Sequence, residues 1–231
     1  MKVDTTTLSA NLGEVRARIE RACARAGRSP SEVVLLPVTK TVGPEAIRAL
    51  HALGVLDVGE NRVLDAVEKA ATCPKGFSWH MIGHLQTNKA RKAVGLFRTF
   101  HSVDSARLAE LLEAEAARID ASLDIYLEVN VSGEASKQGL RPEEVLPLAR
   151  QVASLPRLTL RGLMTMAPIA NDAQHARPVF RALREVRDRL AAEGIGARGL
   201  SMGMSQDYPV AIEEGATVVR VGTALFRGVE T

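Results

Sequence analysis

VVLLPVTK, residues 33–40, is the stretch that decides the fold. Its apolar residues are mostly β-branched or Leu, it ends in a lysine, and Thr41, Gly43 and Pro44 follow. A short apolar run bounded by turn formers reads as a strand buried on both faces. A parallel sheet covered by helices needs such strands. Lys40 then stands at the C-terminal end of the strand, where parallel α/β folds bind ligands. An amine half sunk among apolar neighbours is easier to deprotonate, and a neutral amine can attack a carbonyl and form a Schiff base. A solvated lysine in a strand-to-helix loop is the plainer alternative.

Outward from this strand the chain alternates. Upstream, Leu8, Leu12, Val15 and Ile19 recur on one helical face, with Thr5 to Thr7 and Ser9 as candidate N-caps and Gly27 as a stop. That predicts an extra N-terminal helix before the first strand. Apolar runs fall at 33–38, 55–58, 77–82, 97–103, 123–131, 158–166, 200–204 and 217–221. Helical patterns lie between them at 44–53, 61–71, 88–95, 105–118, 142–154 and 179–192, with a short one at 206–214. Eight strand–helix alternations point to an α/β fold, a single (β/α)8 TIM-type barrel, whose usual size is about 250 residues. A doubly wound sheet would need a Gly-rich fingerprint after its first strand, and VTKTVGP is not one.

The chain has 231 residues and no Pro/Gly/Ser linker, so residues 1–231 are expected to form one domain. Lys and Arg nearly balance Asp and Glu, leaving a net charge of +3, and aromatic residues are only 3%. Neither a basic field nor stacking platforms for nucleic acid are present. Lys89, Arg91 and Lys92 read as a solvated helix face. Cys23 and Cys73 are far apart and form no CxxC, so no disulfide framework or cysteine zinc site is expected. His80 and His84 are four apart on a strand and its loop, which is not helical metal-ligand spacing. His101 and His175 read as surface or edge residues. No apolar leader core or membrane-length run occurs, so a cytoplasmic protein without membrane contact is expected.

In a barrel the residues closing each strand converge on one mouth. Here they are Lys40, Gly59 to Asn61, Gly83 and His84, Ser102 and Asp104, Asn130 and Ser132, Met164 and Met166, Ser201 to Ser205, and Arg220 to Thr223. They include no carboxylate pair with evident acid/base spacing. MGMSQD and RVGT occupy the loops after strands 7 and 8, the recurrent phosphate position of this barrel. Small residues admit backbone N–H groups to phosphate oxygens, and Ser205 and Thr223 add hydroxyls. A simple glycine turn with a Ser cap is the alternative. Arg220 lies inside the apolar run VVRV and needs an acceptor, either a structural ion pair or a ligand. An amine for an aldehyde, backbone for a phosphate and a guanidinium for a ring nitrogen together suggest pyridoxal 5′-phosphate, PLP.

The chain resembles the YggS/PROSC-type pyridoxal phosphate homeostasis proteins over nearly its whole length. LLPVTKT, DVGENRV, WHMIGHLQTNK, VNVSGEASKQG, LRGLMTM, LSMGMSQD and VRVGTALFR carry the likeness. It departs at VTK, where VSK is commoner, and at LFRG, where LFG is usual. The resemblance implies a barrel similar to the first domain of bacterial alanine racemase. It further implies Lys40 as the Schiff-base lysine, Ser205, Gly222 and Thr223 on the phosphate, Arg220 at the pyridine nitrogen, and Asn61 and His84 lining the pocket.

An arginine at the ring nitrogen keeps it unprotonated and weakens the ring as an electron sink. Alanine racemase also has one, but draws its second base, a tyrosine, from another domain. Tyr126 and Tyr208 of this chain fall in a strand and a helix expected at the surface. The expectation is therefore a non-catalytic PLP carrier or buffer in vitamin B6 and amino/keto acid homeostasis, acting as a monomer, with apo PLP-dependent enzymes as recipients. A racemase-like amino-acid enzyme and a cofactor-free Schiff-base aldolase are the alternatives. Lys137 is a candidate transient acceptor of the aldehyde.

Overall fold

The computed structural model describes residues 3–133 and 138–229. Eight parallel strands, β1 Val34–Pro37, β2 Asp57–Glu60, β3 Ser78–Met81, β4 Thr99–Val103, β5 Leu123–Glu128, β6 Leu158–Met164, β7 Gly199–Ser201 and β8 Val218–Val221, pair in the order β1-β8-β7-β6-β5-β4-β3-β2. β1 and β2 meet through a single bridge, Val38 to Gly59, which brings the sheet round into a nearly closed (β/α)8 barrel. The outer layer is formed by α2 Pro44–Ala52, α3 Val63–Ala70, α4 Ala90–Leu96, α5 Ala106–Arg118, α6 Val145–Val152, α7 Arg177–Ala192 and α8 Tyr208–Glu213, preceded by α1 Thr5–Arg25 and followed by the short α9 Thr223–Phe226.

α1 is the expected extra helix. Its buried face is Leu8, Leu12, Val15, Ile19, Ala22 and Cys23, and it packs on α8 and α9. Its N-cap is Asp4, not one of the threonines: the Asp4 carboxylate accepts from the N–H groups of Thr6 and Thr7. A carboxylate accepts more strongly than a hydroxyl and complements the helix dipole. Gly27 follows the helix at φ +64°, a conformation glycine adopts without strain.

Most of the core lies between the sheet and the helices. The barrel interior is different. It holds a small apolar cluster of Leu36, Tyr126, Met164 and Val218, and beside it the buried polar side chains of His80, His101, Ser201 and Arg220. Room for the Tyr126 ring comes from Gly199, which is paired with Gly162 across β6 and β7. A Cβ on Gly199 would lie 2.9 Å from that ring, and one on Gly162 would strike the Gly199 carbonyl at 1.9 Å. Tyr208 is not at the surface. It is fully buried, with Arg18 stacked 5.1 Å above its ring.

Candidate functional site

The strand ends at one rim bring together Arg220, Ser205, Gly222 and Thr223. Arg220 is enclosed in the barrel, 5% exposed. Its Nη1 donates to the carbonyl (2.8 Å) and hydroxyl (2.7 Å) oxygens of Ser201, and its Nη2 to the Thr165 carbonyl (2.9 Å). Three of its five N–H groups are thus used on neutral acceptors, and among the described residues no carboxylate lies within ion-pair distance. Burial pushes the guanidinium down to about 10, with Glu128 and Asp207 opposing, so it stays a cation at neutral pH.

The loops after β7 and β8 are tied together by Ser205, whose Oγ accepts from the N–H groups of Gly222 and Ala224, both at 3.2 Å. Asp207 folds the first of these loops back by accepting from Met204 N at 2.6 Å, and burial raises its carboxyl. Gly203 sits there at φ +92°, against Tyr208 and Ala211, where a Cβ would collide at 2.6 Å. Gly222 packs on the end of β1: a Cβ would lie 3.3 Å from the Val38 carbonyl oxygen. The strand 7 and strand 8 loops therefore form a narrow, small-residue rim beside the segment that carries Lys40. Thr223 is exposed at the start of α9.

Lys40 is exposed, not half sunk among apolar side chains. The chain turns directly after Thr39, with Val42 N donating to the Thr39 carbonyl, so Lys40 starts a turn outside the strand. The half-buried lysine at the end of β1 is instead Lys69. Lys69 Nζ donates to the Thr39 carbonyl (2.8 Å) and to Glu60 Oε1 (2.7 Å), and Thr39 Oγ1 donates to the same carboxylate oxygen (2.7 Å). Glu60 is 1% exposed and, among the described residues, its Oε2 has no hydrogen-bond partner.

Asn61 and His84 form a second group on the loops after β2 and β3. Asn61 is half-buried against Gly83, where a Cβ would clash at 2.6 Å. His84 is exposed, its Nδ1 4.0 Å from the Asp104 carboxylate, a pair only when the ring is protonated. Among the described residues neither bonds to the Arg220 group. Lys137 lies outside the described residues.

Several residues of the interior escaped the sequence. Glu128 ends β5, is 4% exposed, and burial with help from Asp104 pushes its carboxyl up to about 7, against the pull of Arg220. The apolar run to Val131 suggests that β5 continues, with Asn130 as a mouth residue, but the ladder with β6 ends at Glu128, and Val129, still donating to the Met164 carbonyl at 2.8 Å, also bridges Leu140. His101 is fully buried, not at an edge, and its partners His80 and Ser201 are 21 and 100 residues away. No group of three potential metal ligands occurs among the described residues. No described helix is long and apolar enough to cross a membrane.

The model of the alanine racemase N-terminal domain family matches residues 10–229. A pyridoxal phosphate homeostasis protein of Aquifex aeolicus is 43% identical over 217 residues, 93% of this chain and 95% of that protein. Its counterpart in Pseudomonas aeruginosa is 44% identical over 224 residues, 96% and 95% of the two chains. The structure of PipY from Synechococcus elongatus with PLP bound superposes with a TM-score of 0.80 at 38% identity, covering 90% of this chain and 99% of that one. A racemase-type barrel matched almost end to end, with near-full-length likeness to these proteins, makes the chain a member of the pyridoxal phosphate homeostasis family.

Proposed function

We propose that this chain is a reversible, non-catalytic PLP-binding protein of intracellular vitamin B6 and amino/keto acid homeostasis. The observation that carries this reading is Arg220: a buried cation without a carboxylate partner, with two N–H groups free of acceptors among the described residues. Such a group suits an unprotonated ring nitrogen. Lys40 would hold the aldehyde, and its exposed position fits easy release. Ser205, Gly222 and Thr223 would hold the phosphate, with Gly222 leaving room that a side chain would fill. Asn61 and His84 would line the far side. When bound, PLP supplies an aldehyde that exchanges between amines. Arg220 denies the ring nitrogen a proton, so the residues favour holding over turnover.

The proposal includes one domain over residues 1–231, a monomer in the cytoplasm, no nucleic-acid or membrane partner, and apo PLP-dependent enzymes as recipients. Adding PLP to purified protein should produce a visible absorption band that is lost in Lys40→Ala, and borohydride should fix a pyridoxyl group on Lys40. No band, or a label elsewhere only, overturns the reading. One observation favours a second reading, a racemase-like enzyme: Glu128 can exchange a proton near neutrality. Chiral analysis of alanine after long incubation decides, and inversion that Glu128→Gln abolishes would establish turnover.

A further inference from the structure

Beneath Arg220 a chain of side chains crosses the barrel interior. Arg220 Nη1 is 2.7 Å from Ser201 Oγ, which is 2.8 Å from His101 Nδ1. His101 Nε2 is 3.0 Å from His80 Nδ1, and His80 Nε2 is 3.1 Å from Asp57 Oδ1. The first four members are buried, and Asp57 alone reaches solvent, at the start of β2 on the opposite end of the barrel. Ser78 Oγ also lies 3.2 Å from His80 Nε2.

The direction of each hydrogen bond follows from the ends. A guanidinium only donates, so Ser201 Oγ accepts from it. Among the described residues the Ser201 hydroxyl hydrogen then has one acceptor, His101 Nδ1. That nitrogen carries no proton, so the neutral His101 ring bears its proton on Nε2. This proton is donated to His80 Nδ1, which leaves His80 protonated on Nε2 and donating to Asp57. A carboxylate only accepts, so the far end demands the same sense. Cation and anion polarise the chain in one direction. Burial holds His101 well below the ordinary imidazole range, with His80 and Arg220 acting the same way. The His80 hydrogen bond holds the Asp57 carboxyl below its usual range. Tyr126 lies flat on His101, centroids 4.6 Å apart and planes 7° from parallel, which restrains the ring.

Resting on the reading that Arg220 meets the cofactor's ring nitrogen, we propose that Ser201 and His101 are positioning residues. Through a one-way hydrogen-bond chain anchored at Asp57 they fix the rotation of the guanidinium and reserve its remaining N–H groups for the ligand.

Long-range ¹H–¹⁵N correlation of the imidazoles in ligand-free protein should show His101 and His80 neutral and protonated on Nε2 at neutral pH. A His101 protonated on Nδ1, or an imidazolium, overturns the proposal. In the PLP-loaded protein Ser201→Ala should shift the visible band and weaken binding roughly tenfold, and Ser201→Thr should restore both. Asp57→Asn, at the partly exposed end, leaves the core intact and should shift the band less but in the same sense. An unchanged band and affinity in Ser201→Ala, or in Asp57→Asn should Ser201→Ala not fold, overturns it. If the unsubstituted protein binds no PLP, the cofactor role falls, while the imidazole spectrum still reports whether the chain is ordered.

Discussion

Glu128 is enclosed at the inner end of β5, and its carboxyl prefers to stay protonated. Its folded pKa of about 7 exceeds the ordinary 4.5, so between those values the folded state binds more protons than the unfolded chain. Stability therefore falls as pH rises through that window and stays lower above it. The distance from 4.5 to about 7 corresponds to roughly 3 kcal/mol. Glu128→Gln is expected to match the parent at pH 4.5 and to be more stable at pH 8, read by urea unfolding at both. Equal stabilities at pH 8 would place the carboxyl in a wetter setting. The need of Arg220 for buried acceptors was legible in sequence, because a guanidinium lies within the apolar run VVRV. Glu128 was not, because the valines beyond it prolong the apolar pattern past the end of the β5–β6 ladder.

The meeting of β6 and β7 shows what a strand pair tolerates. Gly162 faces the Gly199 carbonyl so closely that no methyl fits, and moving either strand would displace the Tyr126 ring that lies over His101. Gly162→Ala is expected to cost more than about 3 kcal/mol, beyond ordinary overpacking, since backbone must yield. Denaturant unfolding tests this, and a loss under 1 kcal/mol would mean the strands slide freely. The strands themselves were readable because each is a short buried run between turn formers, and most boundaries fall within two residues. What packs inside the barrel was hidden. In TFHSV, residues 99–103, His101 reads as a surface or edge residue until Ser201 and His80 supply partners from distant sequence.

Across the molecule the alternation of strands and helices dictated the barrel, but nothing local revealed how it closes. β5 and β6 share a long ladder, whereas β1 and β2 share one bridge and the Thr39 N–H to Gly59 carbonyl bond. Lys69, reaching in from α3, bonds the Thr39 carbonyl at the end of β1 and the Glu60 carboxylate at the end of β2. Lys69→Ala strands a buried carboxylate and should lose roughly 3–5 kcal/mol. Lys69→Met with Glu60→Leu should recover much of it, and additive losses would show the two act separately. In hydrogen exchange the Thr39 amide should lose protection at least about tenfold sooner than that of Leu127, in keeping with graded local opening.

That lightly sewn seam adjoins Lys40. On the proposed reading of Lys40, the vitamin's doorway would adjoin a joint sewn by one bridge, and a guest would be handed over there while the long run of stitches between β5 and β6 stays fastened.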